Sequence, residues 1–479
     1  MEFTKKQKEF LKHIDTMKSK IEIGFFSAVN VTLIANPYIS EYPKRFISKN
    51  FDRSSIFLSF IKSSTLFYIK NLGLYYNYMV SFFLYKRFYK KRVTPNSSIL
   101  IDKFFLVDNI IKEKKFEPKY FKGLYRVLDD KNIDYKFLVR LYGANRKPSK
   151  LKEFFKILNE DRRAFLFEFE LLKFKDFMEI LGLILAYPFA TLSMLQKGER
   201  DFNIELIKDI KNQQFEAFSR YILGKNISNF DVDKIISWSE FQVTERAFNY
   251  GLDERADVYA CQFYLSYNSY FNTFVSDIDV FGNYAPKKVL VNGKYFLLDR
   301  KEIEYSLGVS LRYRELFSTP IYKNGENILL LGAYVESDTR YMIELLDGFT
   351  NVIFKNHPAV DIEKLGSIKF KISDESIYRL FRDSKIVVTT ASGTAVEAIA
   401  CGISVIVVES RDNLTSNPLS SYGKGLMWDS VNSRDELIET YNRLLKKREE
   451  VNIDLVAKWY RDNFFIEPTK ENIVKAFEL

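Results

Sequence analysis

At 479 residues the chain is too long for one ordinary hydrophobic core, and a hydrophobic content of 47% excludes a disordered polymer. Lys and Arg number 72 against 62 Asp and Glu, and the resulting charge of +10 points to an anionic partner: membrane lipid, an acidic glycan, a nucleotide or nucleic acid. Two cysteines, Cys261 and Cys401, form no disulfide framework and suit a reducing cytoplasm, while two histidines, His13 and His357, leave little room for a histidine metal site or a Ser-His-Asp triad.

Residues 1 to 22 read as an amphipathic helix with Phe10, Leu11, Ile14, Met17 and Ile21 on one face and His13 on the solvated side, not as a secretory signal. From Phe51 to Arg92 the chain is aromatic and basic. That segment could lie on an anionic leaflet, or pack its apolar side on the protein with its lysines in water. Thr94 to Ser98 is a turn cluster and a domain boundary. Beyond it, strand patterns at Ile99 to Asp102, Tyr135 to Tyr142 and Ala164 to Glu170 alternate with helical patterns near 120–128 and 151–158, the signature of a doubly wound half-sheet. Ligands bind beyond the carboxyl ends of such strands, which nominates Asp102, Glu168 and Glu170, each also readable as an ordinary strand-end acid. The longest apolar window, Phe177 to Leu195, is interrupted by Glu179 and Pro188 and reads as a buried core helix in preference to a membrane span.

Ile235 to Phe248 runs from a strand into a helix and carries Glu240, Gln242, Glu245 and Arg246 within two turns, either a functional face or a first-turn acid favoured by the helix dipole. Asp257 to Gln262 adds a strand, and Lys288 to Gly293 reads as the crossing into a second domain. Strands are then expected at about 328, 352, 369, 386, 404 and 426, with closing helices at 433–449 and 451–464. Four regions follow: a helical segment 1–95, a first Rossmann-like domain 96–286, a nucleotide-binding domain 287–450, and a tail 451–479 returning to the first domain.

Two features of the second half carry chemistry. Ser392, Gly393 and Thr394 fall where a strand gives way to a helix, so their backbone N–H groups can face an anion. Glu397, one turn on, can accept from ribose hydroxyls, although a capping Ser or Thr followed by a helix glutamate has the same appearance. His357 lies in the turn ending the neighbouring strand and can donate to a phosphate oxygen.

Together, Lys355-Asn356-His357-Pro358 and Thr389-Thr390-Ala391-Ser392-Gly393-Thr394 resemble the HP and Ser/Thr motifs of bacterial GT-B glycosyltransferases with cytidine-nucleotide donors, such as sialyltransferases and retaining Kdo transferases and, more distantly, CDP-glycerol polymerases. The resemblance implies an α/β GT-B fold, two Rossmann-like domains facing a cleft, preceded by an extra helical segment. It places His357 on the donor phosphate, Ser392, Gly393 and Thr394 on the nucleotide phosphate, Thr389 and Thr390 in the pocket wall with Lys355 and Pro358 in the motif turn, and Glu397 toward ribose. Arg312 is expected to meet a sugar carboxylate or a phosphate, with a surface arginine as the plain alternative. The acidic motif that supplies the base in sialyltransferases has no counterpart here; Glu240 is the favoured acid, with Asp102 and Glu168 behind it.

The expected activity is transfer of a CMP-activated 2-keto acid sugar, of the Kdo or sialic acid type, to a capsule or lipopolysaccharide glycan or glycolipid, without metal or cofactor beyond the donor. The expected location is cytoplasmic, peripheral on the inner membrane, with no nucleic acid partner. A UDP- or GDP-sugar transferase is the alternative, as is a glycerophosphotransferase, whose usual Thr-Asp-Tyr-Ser-Ser segment is replaced here. A non-catalytic nucleotide- or glycan-binding subunit is the alternative of another class.

Overall fold

The computed structural model of the protein describes residues 4–479 apart from 38, 52, 118–119, 143–146, 239, 266–270, 274, 299–302, 391, 412–416, 451 and the side chains of 122, 142 and 272. The described strands form two sheets, all of whose pairings are parallel. The first contains β1 (Ser97–Leu106), β2 (Tyr135–Tyr142), β3 (Phe165–Phe167), β4 (Val232–Trp238), β5 (Asp257–Cys261), β6 (Lys288–Val291) and β7 (Glu304–Leu307) in the order 3-2-1-4-5-6-7. The second contains β8 (Asn327–Leu331), β9 (Val352–Lys355), β10 (Lys371–Ile372), β11 (Ser384–Thr389), β12 (Ser404–Val408) and β13 (Trp428–Val431) in the order 10-9-8-11-12-13. Numbered from its own first strand, the second sheet repeats the 3-2-1-4-5-6 of the first, the doubly wound order with its switch point between the first and fourth strands. Two such units with a helical N-terminal segment make the GT-B architecture. The β-branched run Ser404 to Val408 is buried throughout, as a strand covered by helices on both faces must be.

The first sheet extends past the expected boundary at 287. Lys288–Val291 is β6, paired with β5 through Tyr259 and Lys288, and β7 follows it. A four-residue apolar strand looks alike in either domain; only its pairing assigns it. The passage to the second sheet therefore lies between Leu307 and Asn327, and a second passage runs beside it: the Ser310 N–H donates to the Ile466 carbonyl at 2.9 Å and the Ile466 N–H to Ser310 Oγ at 3.1 Å. Gly293 makes room for the returning chain, since a Cβ there would come within 2.4 Å of the Asn463 carbonyl oxygen. The helix Ile453–Phe464 stays on the second domain, with Arg461 Nε donating to the Ala400 carbonyl at 2.7 Å. Its end also meets the first domain, with Phe464 stacked on Tyr295 at 4.1 Å, and the last helix, Lys470–Phe477, lies wholly on that domain beside Lys122–Asp130, followed by Glu478, which meets Lys288 at 2.5 Å.

Other local expectations change. His13 is not solvated: its Nε2 is 2.6 Å from the Tyr42 hydroxyl and its ring stacks on Phe46. The 164–170 run is a three-residue strand followed by the helix Glu168–Leu171, so Glu168 and Glu170 belong to a first turn. The apolar window becomes the helix Phe174–Leu192, which buries one side, including Ile180, Ile184 and Tyr187, and exposes the other. The aromatic, basic segment forms one long helix, Ile56–Phe88, antiparallel to it. No helix among the described residues is long and apolar enough to cross a membrane.

Candidate active site

The second sheet presents its carboxyl edge as a shelf with unmatched polar atoms. β11 ends in Thr389 and leads to Thr390, both buried, and neither Oγ1 has a hydrogen-bond partner. A buried hydroxyl without a partner costs about 1–3 kcal/mol, so two in succession need a reason. At the end of β9, Asn356 donates through Nδ2 to the Val360 carbonyl at 2.7 Å, while its buried Oδ1 has no partner.

His357 follows, half-buried. Its Nδ1 accepts the Ala359 N–H at 3.2 Å, which places the proton of the neutral ring on Nε2 and makes that atom a donor. Burial lowers its pKa and favours this neutral form. Tyr334 meets the imidazole edge-on at 5.7 Å between ring centres. Pro358 is exposed in the same turn, and Lys355 donates to the Glu375 carbonyl at 2.7 Å. β8 separates β9 from β11, so the carboxyl ends of those two strands, leading to His357 and to Thr390, are roughly 10 Å apart by strand spacing. Gly332 ends β8 between them; a Cβ there would press the His357 nitrogen at 3.0 Å and Asn356 Oδ1 at 3.3 Å. Beyond β11, Ser392 Oγ accepts the Thr394 N–H at 3.3 Å, opening the helix Thr394–Ala400. Gly393 abuts the other domain, since a Cβ on it would lie 3.2 Å from Leu265 in the loop after β5.

The first sheet contributes Glu240, two residues beyond β4. Trp238 Nε1 donates to one of its oxygens at 3.0 Å and Gln242 Nε2 to the other at 2.7 Å. Burial, helped by the nearby Glu245 charge, pushes its carboxyl up to about 7. The adjoining Phe241 has φ +54° with its ring 1% exposed. A bulky residue adopts the left-handed region only when its surroundings enforce it, and such strain gathers at functional loops.

Arg312, in the passage between the sheets, donates to the Phe263 carbonyl at 2.8 Å and lies over the Tyr120 ring at 5.3 Å. The residue is exposed, and its charge favours the ionised forms of both Glu240 and Glu397 against the effect of burial. Glu397 is 8% exposed, accepts from the Tyr378 hydroxyl at 2.6 Å, and is also raised to about 7 by burial. Glu240 and Glu397, one acid from each domain, thus both feel the charge of Arg312 in the passage between the sheets.

The other candidate acids are elsewhere. Asp102 is buried in β1 and accepts from Arg140, from both terminal nitrogens of Arg220, and from Ser237 at 2.9 Å. Burial opposes its charge, but the two guanidinium groups hold its carboxyl below the ordinary range. A carboxylate so engaged is a fastener and a poor base. Glu168 starts its short helix close to Tyr78 and Arg220, and burial lifts it to about 7, away from Arg312 and Glu397 in the contacts it makes. Glu245 and Arg246 do not share a face with Glu240: Glu245 pairs with Arg140, and Arg246 turns to Asp279 at 2.7 Å and the Ala28 carbonyl. Sequence reasoning missed Tyr378, Tyr334, Tyr120 and Phe241, since nothing in spacing marks which aromatics reach a seam between domains. Asn356 lay within the quoted motif, but its unmatched oxygen is visible only in three dimensions.

No protein-family model matches the chain, and no curated protein matches it. Solved structures do align over most of its length. A UDP-GlcNAc 2-epimerase from Neisseria meningitidis bound to UDP-GlcNAc is 12% identical, covering 79% of this chain and 99% of its own with a TM-score of 0.44. The glycotransferase of kitacinnamycin is 8% identical, covering 80% and 98% with a TM-score of 0.43. The wall teichoic acid polymerase TagF is 11% identical, covering 87% and 96% with a TM-score of 0.40. Likeness at this level transfers no activity, and the fold assignment stands on the strand order of the two sheets.

Proposed function

We propose that the protein is a nucleotide-sugar-dependent glycosyltransferase whose donor binds along the second sheet and whose acid or base comes from the first. The observation that carries this reading is the carboxyl edge of the second sheet: Thr389 Oγ1, Thr390 Oγ1 and Asn356 Oδ1 are buried without partners beside His357, and Gly393 there abuts Leu265 of the first domain, whose Glu240 carboxyl is raised toward neutrality by burial. A carboxyl that titrates near the working pH suits general base catalysis. In the proposed step Glu240 takes the proton of the acceptor hydroxyl as its oxygen bonds to the anomeric carbon. The bond from that carbon to the phosphate oxygen breaks, and its electron pair leaves with the nucleotide. His357 Nε2–H and the amides of Ser392 and Gly393 receive the developing charge, a task that calls for no divalent ion.

The donor is a CMP-linked 2-keto acid sugar of the Kdo or sialic acid type, whose carboxylate suits the planar fork of Arg312. The acceptor is a surface-polysaccharide glycan presented at the cytoplasmic side of the inner membrane. Thermal-shift measurements with CMP, CDP, UDP and GDP test the donor: stabilisation by cytidine nucleotides supports this reading, and stabilisation by UDP alone replaces it with a UDP-sugar transferase. His357→Ala should keep the fold and lower transfer by about 10²–10³-fold, as does loss of a preorganised donor to a developing anion. Nucleotide binding with no transfer to any glycan acceptor would point to a binding subunit.

A further inference from the structure

The helix Ile56–Phe88 is inside-out for a protein in water. Its protein-facing side carries Ser59, Ser63, Ser64, Asn71 and Ser81 among tyrosines, and several of its polar groups bond inward: Tyr68 OH donates to the Leu185 carbonyl at 2.8 Å and Tyr75 OH to the Phe177 carbonyl at 3.1 Å. Its solvent side carries Leu58, Ile61, Ile69, Leu72, Tyr76 and Phe83, with Ile69 70% and Phe83 68% exposed. At 100° per residue these six fall within one stripe, roughly 38 Å long from 58 to 83 at 1.5 Å per residue.

The antiparallel helix Phe174–Leu192 lies beside it, through a Phe60 to Phe189 ring contact, and exposes a second stripe: Phe174, Met178, Leu185 and Phe189, the first 82% exposed. Helices pack 8–10 Å apart, so the two stripes form a face about 20 Å across and well over the 300–600 Å² of apolar patch that a monomer ordinarily shows.

The charges indicate what covers it. Residues 56–88 include no Asp or Glu, whereas Lys62, Lys70, Lys86 and Arg87 are exposed along them and Lys90 and Arg92 follow. The acids of the second helix turn away from the face: Asp176 is buried and accepts from the Lys173 N–H, and Glu179 pairs with Lys225 at 2.5 Å. A second copy seated here by two-fold symmetry would bring lysine and arginine rows together with no carboxylate between them.

We infer that this two-helix face lies in the headgroup and acyl boundary of an anionic bilayer leaflet, apolar stripes inward and lysines at the phosphates. The inference deepens the membrane-side acceptor of the proposed function, and its test is independent of nucleotide. The full chain should sediment with vesicles of equal phosphatidylcholine and phosphatidylglycerol, and at least about tenfold less with phosphatidylcholine alone or in high salt. The triple variant Ile69→Glu, Phe83→Glu, Phe189→Glu should lose that binding while keeping its Tm and its nucleotide thermal shift. Lys86→Glu with Arg87→Glu, which leaves the apolar stripes intact, should weaken binding to the mixed vesicles by a similar factor. Equal binding by wild type and both variants overturns the inference, as does a wild type that binds no vesicle. So does light scattering that finds a lipid-free dimer split by the triple variant, which assigns the face to a second copy. A nucleotide response without vesicle binding defeats the membrane face and leaves the proposed reaction standing.

Discussion

The two sheets repeat one strand order and differ in how they hold the buried polar groups that matter most to each. In the first domain the buried carboxylates are tied down within the chain: Asp102 by Arg140, Arg220 and Ser237, and Asp279 by Arg246, Lys18 and the Ser276 N–H. The second sheet is aliphatic through its middle; Ser384 and Ser404 are buried at its amino edge, and at its carboxyl edge Thr389 Oγ1, Thr390 Oγ1 and Asn356 Oδ1 gather without a partner. A polar group whose partners are built into the fold holds elements together. A row without partners, along the edge where this fold class takes ligands, is arranged for something that arrives.

The largest effect expected from this contrast is at a fastener. Asp102→Ala leaves Arg140 and Arg220 buried without their shared counter-charge and should destabilise the protein by about 3–5 kcal/mol in denaturant titration. The folded fraction should retain its transfer activity per molecule. A variant of unchanged stability with abolished activity would instead restore Asp102 to the chemistry.

Glu240→Gln should do the reverse. Transfer falls by about 10²–10⁴-fold, the usual contribution of a positioned base, while the nucleotide thermal shift is retained. Because the base must be ionised, wild-type rate at saturating donor should climb with pH through about 7, where burial places this carboxyl. The residual rate of the Gln variant should lack that rise.

The pH dependence of stability gives a smaller signal, and Glu397 is the cleaner reporter because it is 8% exposed whereas Glu240 is half-buried. Its carboxyl is lifted from 4.5 to about 7 in the fold, so between those values the native state holds a proton that the unfolded chain has released. Stability is therefore full below pH 4.5 and declines as pH rises toward 7. At 1.36 kcal/mol per pH unit the group accounts for about 3 kcal/mol at most. The melting temperature of Glu397→Gln should fall less between pH 5 and 7.5 than that of the wild type, and parallel curves would remove Glu397 as the source.

Much of this architecture was readable from periodicity. Continuous β-branched runs such as Ile386 to Thr389 and Ser404 to Val408 placed the second sheet within a few residues, because a parallel strand buried on both faces needs them. Pairing was not readable: β6 was placed in the wrong domain because Lys288 to Val291 shows its own apolar pattern and not its neighbour, Tyr259. The site divides in the same way. The turns holding His357 and Ser392 announce themselves through local residue types, whereas Tyr378 reaches Glu397 from another segment and Phe241, with its left-handed backbone, belongs to a core cluster drawn from both domains. Fasteners and candidate bases have one appearance in sequence. By pattern Asp102 closes the apolar run from Ile99 and Glu240 follows the run to Trp238, so both look like strand-end acids; the structure sets Asp102 inside β1 with two arginines packed on it.

The smallest effect is the most discriminating, because its sign differs between the two regions. Thr390→Val keeps the shape of a buried side chain and removes the hydroxyl that lacks a partner. If the hydroxyl awaits a ligand, the free protein should become more stable by about 1 kcal/mol, since an unpaired buried group is eliminated. The nucleotide should then bind about tenfold more weakly, a loss of one hydrogen bond. Removing a hydroxyl from the first sheet has no such gain available: Ser237→Ala takes a donor from Asp102 and should lower stability by about 1–2 kcal/mol while leaving nucleotide affinity unchanged. Denaturation of the two variants with and without nucleotide measures both signs. If Thr390→Val also destabilises the free protein, its hydroxyl is already part of the fold, and the second sheet's edge would have to be counted with the fasteners of the first.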